Sequence, residues 1–428
     1  MKTVLNLLGI IILLGVLYIT SYDKKYINKK MILKAIGLQF ILAFLLVKFP
    51  IGRFVLQKAS DFITAILSYG AEGMSFMFGP LADASGPAGY IFAIQVLGNM
   101  IFVSALVAAL YYLGVIGFVV KLIGGVIGNV LGTSKVESFV AVANMFLGQS
   151  ESPILVSKYL SKMSESEIML VLISGMGSMS ATVIMGYVGM GIPMEYLLIG
   201  GALVPLGSII VSKLILPETE KLPKEMLKQD VNVNGGQSAS LAELECAVTY
   251  DATDDISIDN KGDNVNLIDA ISKGAMDGLN LVLGISASLI AIISLVALVN
   301  GALGIFGLSL EMILSYLFAP IGFFMGIPQE NILTASQLLG SKLVLNEFVA
   351  FEQLGVIINS LDYRTGLMIA ISLTGFANIS SMGMCISAVS VFAPEKRSQL
   401  ARLAFRGMLG GFFVSVLSAL VVGLIVAI

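Results

Sequence analysis

Two short polar runs interrupt stretches of the chain that are otherwise apolar: Gly148-Gln149-Ser150-Glu151-Ser152-Pro153 and Leu345-Asn346-Glu347-Phe348-Val349. Each sets a carboxylate beside amide or hydroxyl side chains. An ionised carboxylate accepts from two hydroxyl or N–H donors at once, and each such charge-assisted bond contributes about 1.5–3 kcal/mol. A side-chain amide offers a donor and an acceptor together, so Gln149 matches either kind of polar edge by flipping. These groups are also expensive where they stand, because a carboxylate at the centre of a bilayer costs about 2.5–3.5 kcal/mol on the most lenient scale. The two carboxylates must therefore have partners: a substrate, an ion, or each other.

Two further stretches place glycine and small hydroxyl residues inside apolar segments: Gly175-Met176-Gly177-Ser178-Met179-Ser180 and Thr374-Gly375-Phe376-Ala377-Asn378-Ile379-Ser380-Ser381-Met382-Gly383. Such residues let a membrane helix unwind and turn free backbone groups toward a ligand. The inventory also excludes chemistry. There is no histidine, and the two cysteines, Cys246 and Cys385, have neither disulfide-framework nor metal-ligand spacing. Histidine relays and histidine-held metals are ruled out. Without these or an Asp pair, an intramembrane enzyme lacks its machinery, and no cofactor is expected. A net charge of −3 gives no reason to expect a nucleic-acid partner.

The elements that must position these residues follow from composition. Hydrophobic residues make up 57%, charged residues 12%, and the mean hydropathy is +0.94. That is a polytopic membrane protein, with room for about eight to ten helical spans of about 20 residues. The spans are placed at Val4–Thr20, Met31–Phe49, Ile91–Leu113, Ile168–Met190, Tyr196–Leu216, Leu279–Leu298, Leu367–Val391 and Leu403–Ile428. The first is read as a retained span, since Ser21-Tyr22-Asp23-Lys24-Lys25 follows it and no small-residue cleavage site does. Basic clusters follow the first span (Lys24, Lys25, Lys29, Lys30) and the fifth (Lys213, Lys221, Lys224, Lys228), and precede the last (Lys396, Arg397, Arg402, Arg406). With all three on the cytoplasmic side, both termini face outside.

Three segments do not fit simple spans. Arg53 to Phe78 mixes charged and large apolar residues in the pattern of an interfacial helix. Glu137 to Lys162 and Gly326 to Asn359 carry the opening motifs and are too polar at their middles to face lipid, so both are read as re-entrant hairpins, allowed at membrane depth where buried in protein. The predicted fold class is all-α polytopic membrane protein: eight transmembrane helices plus two opposed re-entrant hairpins in an inverted repeat, with interfacial helices. The predicted divisions are 1–90 (two spans and the interfacial helix), 91–216 (first transport repeat), 217–265 (polar cytoplasmic loop) and 266–428 (second transport repeat). Each repeat holds a scaffold span, a hairpin, a broken span and a closing span. Inverted repeats with broken helices point to a secondary transporter with its site at the midplane.

The two hairpin runs, with Gly340-Ser341-Lys342 before Asn346-Glu347-Phe348-Val349-Ala350-Phe351, and the run Gly375-Phe376-Ala377-Asn378-Ile379-Ser380-Ser381, resemble the signatures of the concentrative nucleoside transporter family. Pro217-Glu218-Thr219-Glu220 is a weaker match. The likeness covers Ile91 to the C-terminus outside the polar loop. Ser150, Phe351 and Met179 stand where Thr, Tyr and Ile are common. The resemblance implies a homotrimer in the inner or plasma membrane, with hairpins and broken helices moving like an elevator against the third and sixth spans. It implies that Gln149, Ser150, Glu151 and Val183 contact the nucleobase, and that Glu347, Asn378, Ser381 and Phe376 form the ribose side. It further implies a sodium ion held by Asn144 and Ser178 side chains and by backbone carbonyls of Leu147, Ser178 and Met179.

The function expected is nucleoside import by cation symport, with sodium favoured. A proton-coupled symporter of the same family, with Glu151 or Glu347 as carrier, is the alternative; a passive channel is the alternative from another class. Taken singly, Asn144 and Ser178 serve equally well as helix-bonding residues, and Phe376 and Val183 as packing. Lys342 is read either as a partner of Glu347 or as a hairpin-tip lysine near the surface.

Overall fold

The computed structural model describes residues 2–83, 86, 89–219, 260–262 and 264–428, and the regular elements among them are all helical. Most of the expected polar loop, 220–259 with Cys246, lies outside the described residues.

Helix α1 (Lys2–Ile19) buries Asn6, Ile10, Leu13 and Leu17, one helical face, and turns its remaining apolar faces outward, as a lipid-facing span does. Helix α2 (Lys29–Val47) starts where Asn28 accepts from the Met31 N–H at 3.0 Å. Helix α3 (Pro50–Phe78) begins on a proline, whose fixed φ suits a first turn, and covers the expected interfacial segment. The first half continues with a π-helical turn (Ala93–Leu97), α4 (Gly98–Tyr112), α5 (Val115–Leu131), α6 (Lys135–Leu155), a short α7 (Ser157–Leu160), α8 (Glu165–Gly177), α9 (Ala181–Gly189) and α10 (Met194–Ile215). The second half runs in the same order: α11 (Leu267–Gly304), α12 (Leu310–Phe324), α13 (Ile332–Val344), α14 (Glu347–Ile357), α15 (Tyr363–Leu373), α16 (Ile379–Phe392) and α17 (Arg397–Ala427).

Among the described residues, seven helices are long and apolar enough to cross a membrane. That set counts α8 and α9 as one span; the expected span Leu367–Val391 is not in it and is divided into α15 and α16, of 11 and 14 residues. The architecture is all-α and polytopic.

Some expectations need correction. The span placed at Leu279–Leu298 is the middle of a 38-residue helix, since Asp269, Lys273 and Asp277 end the apolar run without ending the helix. The last span starts at Arg397 for the same reason. Helices α5 and α12, of 17 and 15 residues, were not expected; both are apolar but shorter than the length that marks a span. They occupy matching places, α5 against α6 and α12 against α13. Lys213, assigned to a basic loop, is buried in the last turn of α10, where it pairs with Glu137 and donates to Ser166 Oγ at 2.8 Å. The core centres on α17, packed by α8, α10, α15 and α1, and the long α11 lies along α4.

Candidate functional site

Four interruptions in helical structure build the site. Helix α6 starts on a capping box of Ser134 and Glu137 and is interrupted at Gly148, whose φ of 73° and ψ of −175° are open to glycine. In a straight helix Asn144 and Ser152 would lie about 12 Å apart along the axis. Here Ser152 Oγ donates to Asn144 Oδ1 at 2.6 Å, so the chain folds back on itself. The second hairpin breaks at Leu345, and Asn346 starts its return arm by accepting from the Val349 N–H at 2.9 Å. Its arms lie side by side, joined by Gln337 Nε2 donating to Gln353 Oε1 at 3.4 Å.

The broken spans restart on polar caps. Ser180 caps α9, and Asn378 caps α16 by accepting from the Ser381 N–H at 2.9 Å. Between them the two unwound turns touch. Gly375 has a φ of 92°, and a Cβ there would stand 2.5 Å from the Gly177 carbonyl oxygen, so only glycine fits.

These elements enclose a cavity of about 420 Å³, of a size ordinary for small-molecule sites. Gln149 and Glu151 reach it from the first hairpin, Val183 from α9, Glu347 from the second hairpin, and Phe376, Asn378 and Ser381 from the second broken span. All the residues expected to touch base and ribose therefore converge, with the exception of Ser150, whose side chain lies outside the described residues. Glu347 Oε2 accepts from Asn378 Nδ2 at 2.6 Å, while Asn378 Oδ1 also accepts from Ser380 Oγ at 2.7 Å. Glu347 is the first residue of α14, where unpaired N–H groups favour a negative charge. Gln149 Oε1 and Ser381 Oγ are buried and have no hydrogen-bond partner in the protein. Buried polar atoms are normally satisfied, so these two, in the wall of a largely apolar cavity, are places for a ligand's groups.

The residues expected at a cation lie beside the first break. Asn144 is fully buried, donating to Ser174 Oγ at 2.8 Å and accepting from Ser152. Ser178 Oγ donates to Gly175 O at 3.1 Å, and its lone pairs are left for another partner. Leu147 lines the cavity and Met179 is buried next to Ser178. These are neutral oxygens, suited to a hard monovalent cation at an unwound helix.

Lys342 is not the surface lysine that was one of its two expected readings. It is fully buried, and its hydrogen bonds go to Ser372 O at 3.0 Å, Thr374 O at 2.6 Å and Ser415 Oγ at 2.7 Å, while the Glu347 carboxylate acts on it only through its charge. The sequence reading also missed one wall of the cavity. Asn280, Gly284 and Ser288 of α11 face it, four residues apart on a single helical face. That four-residue spacing is the signal in the sequence, within a segment expected to serve as scaffold.

Comparison with known proteins gives a consistent result. Residues 196–423 match the family described as Na+ dependent nucleoside transporter C-terminus, residues 8–81 its N-terminus, and residues 93–194 a family described as nucleoside recognition. The chain is 35% identical to the uncharacterized transporter YutK of Bacillus subtilis over 100% of both chains. It is 34% identical to the nucleoside permease NupC of Helicobacter pylori, covering 99% of this chain and 98% of that one. The solved structure of CNTnw in an inward-facing substrate-bound state superposes with a TM-score of 0.88 at 33% identity, over 99% of each chain.

Proposed function

The chain belongs to the Na+ dependent nucleoside transporter family and is a transporter rather than an enzyme, and we propose that it imports nucleosides by symport with a cation, sodium being the ion its first break suits. The observation that carries this reading is the pair of unpartnered buried atoms, Gln149 Oε1 and Ser381 Oγ, on a cavity that also presents the Glu347–Asn378 pair. A nucleoside supplies the complements: hydroxyl donors on the ribose for Glu347, and a base edge of donors and acceptors for Gln149 and Glu151. Val183 and Phe376 give apolar contact, Ser381 and Asn378 complete the ribose side, and Ser150 joins the base side. The cation sits among Asn144, Ser178 and the carbonyls of Leu147, Ser178 and Met179.

In this reading, the hairpins and broken spans move together across the membrane against α4 and α11, the divisions 91–216 and 266–428 being inverted repeats joined by the loop 217–265. Residues 1–90 flank them, and both termini face outside the inner or plasma membrane. Helix α11 turns most of its surface outward from one chain, which suits a homotrimer packed on this scaffold and surrounded by lipid.

Uptake of labelled uridine into proteoliposomes, with sodium and proton gradients imposed separately, tests the reading. Accumulation driven by sodium is expected. Accumulation driven by protons alone would move the coupling to Glu151 or Glu347, and single-channel currents would replace symport with a passive pore.

A further inference from the structure

Lys342 is fully buried in the first arm of the second hairpin and does not line the solute cavity. Its Nζ has three oxygen partners: Ser372 O at 3.0 Å, Thr374 O at 2.6 Å and Ser415 Oγ at 2.7 Å. Two of these are carbonyls, which can only accept. The third gives its own proton away, since Ser415 Oγ donates to Phe412 O at 2.9 Å. Three acceptors require three N–H donors, which an ammonium has and a neutral amine lacks. The Phe412 ring, its centre 5.6 Å from Nζ, adds an aromatic face that favours a cation. The geometry is a positive ion in a shell of neutral oxygens.

The place of that shell in the fold gives it meaning. Thr374 directly follows the last residue of α15, so the ammonium sits where a broken span ends and its free carbonyls gather negative charge. In the first half, the corresponding hairpin arm carries Asn144, which reaches Ser174 near the end of α8. Asn144 precedes its break at Gly148 much as Lys342 precedes its break at Leu345. One arm thus brings a neutral amide to the end of its broken span, and the other brings a charge.

We propose that Lys342 is a tethered counterpart of the coupling cation. Its ammonium fills the cation position at the broken span of the second half, the exchangeable position belongs to the first half, and a single cation moves with each nucleoside. The idea rests on the symport reading above.

The test uses the purified full-length protein, Lys342→Ala, and methylammonium, which is the detached head of the lysine side chain. The substitution should cut uridine uptake by about tenfold or more, because buried carbonyls lose their donors. Methylammonium chloride, exchanged for choline chloride at equal ionic strength, should raise the melting temperature of Lys342→Ala, leave that of the wild type unchanged, and restore part of the uptake. Lys342→Met fills the space with an apolar chain and should gain nothing from methylammonium. Wild-type uptake by Lys342→Ala, or a response to methylammonium equal to that of the wild type, overturns the proposal. A second measurement needs no variant: the charge moved per uridine by the wild type, from reversal potentials in proteoliposomes, should be one, and a value of two overturns it. A wild type indifferent to every cation gradient would strike the symport reading instead, with the melting measurements still deciding the role of Lys342.

Discussion

The backbone N–H of Phe376 donates to the carbonyl oxygen of Ser178 at 3.1 Å, so the unwound turn of one half of the chain is bonded to the unwound turn of the other. Phe376 lines the cavity, and Ser178 belongs to the set proposed to hold the cation. A carbonyl oxygen has two lone pairs, and the one not used by Phe376 remains for an ion. Whatever fixes this peptide unit for one ligand fixes it for the other, and linkage requires the effect to be reciprocal: if sodium tightens nucleoside binding, nucleoside tightens sodium binding by the same factor.

Glu347→Gln keeps the shape of the side chain and removes the charge proposed to accept ribose hydroxyls. With each charge-assisted bond contributing about 1.5–3 kcal/mol, uridine uptake should fall by about 100-fold. Assembly, followed by size-exclusion chromatography, should be unchanged. Transport at the wild-type rate would make the carboxylate purely structural.

Gln149→Met should behave differently. The amide oxygen has no partner in the protein, so the unliganded protein gives up no hydrogen bond there. The KM for uridine should rise about fivefold or more while the melting temperature without nucleoside stays within about 2 °C of wild type. A large fall in melting temperature at constant KM would place the residue in packing instead.

Gly375→Ala tests the contact between the unwound turns. The new Cβ would meet the Gly177 carbonyl oxygen at 2.5 Å, with the backbone held at a φ of 92°. A cost of about 1–3 kcal/mol or more is expected, seen as a lowered melting temperature in detergent. An unaltered melting curve would mean that the two turns are further apart.

Acid sensitivity should come in part from Asp362, which caps α15 outside the membrane-spanning segments. Burial works against its charged form, but the hydrogen bond from the Thr365 N–H, with the charges of Lys2 and Arg364, outweighs it and holds the carboxyl below its ordinary value. A folded pKa below the unfolded one gives stability that is complete above about pH 4 and is lost as pH falls through the folded value. Asp362→Asn, whose amide oxygen can still cap the helix, should be less stable than wild type at neutral pH and should flatten the acid limb of a melting-temperature profile. Parallel profiles for the two proteins would remove Asp362 from the account.

The parts of the site that were legible in the sequence are those whose cost shows locally. Glu151 and Glu347 stand out because a carboxylate in an apolar run needs a partner, and the breaks stand out because glycine and hydroxyl residues weaken a helix where they occur. Lys342 was not legible, because its partners are backbone carbonyls on another helix and Ser415, 73 residues away. Carbonyls leave no trace in residue identity. Helices α5 and α12 escaped because apolar runs of 17 and 15 residues fall below the length that identifies a span, and nothing in their composition says what they cover. The polar face of α11 was visible at helical spacing, but its meaning depended on which neighbour it met.

That face has a geometric consequence. Asn280, Gly284 and Ser288 span only nine residues of a 38-residue helix, about 12 Å of a rod about 57 Å long. Beyond them, toward the C-terminal end, the same face continues with Ile292, Leu295 and Val299. In the movement proposed above, a solute carried along this rod meets Asn280 and Ser288 over about two helical turns and apolar side chains after them. The short polar strip would act as a detent, a resting place along the path that favours carriage in discrete jumps over continuous drift.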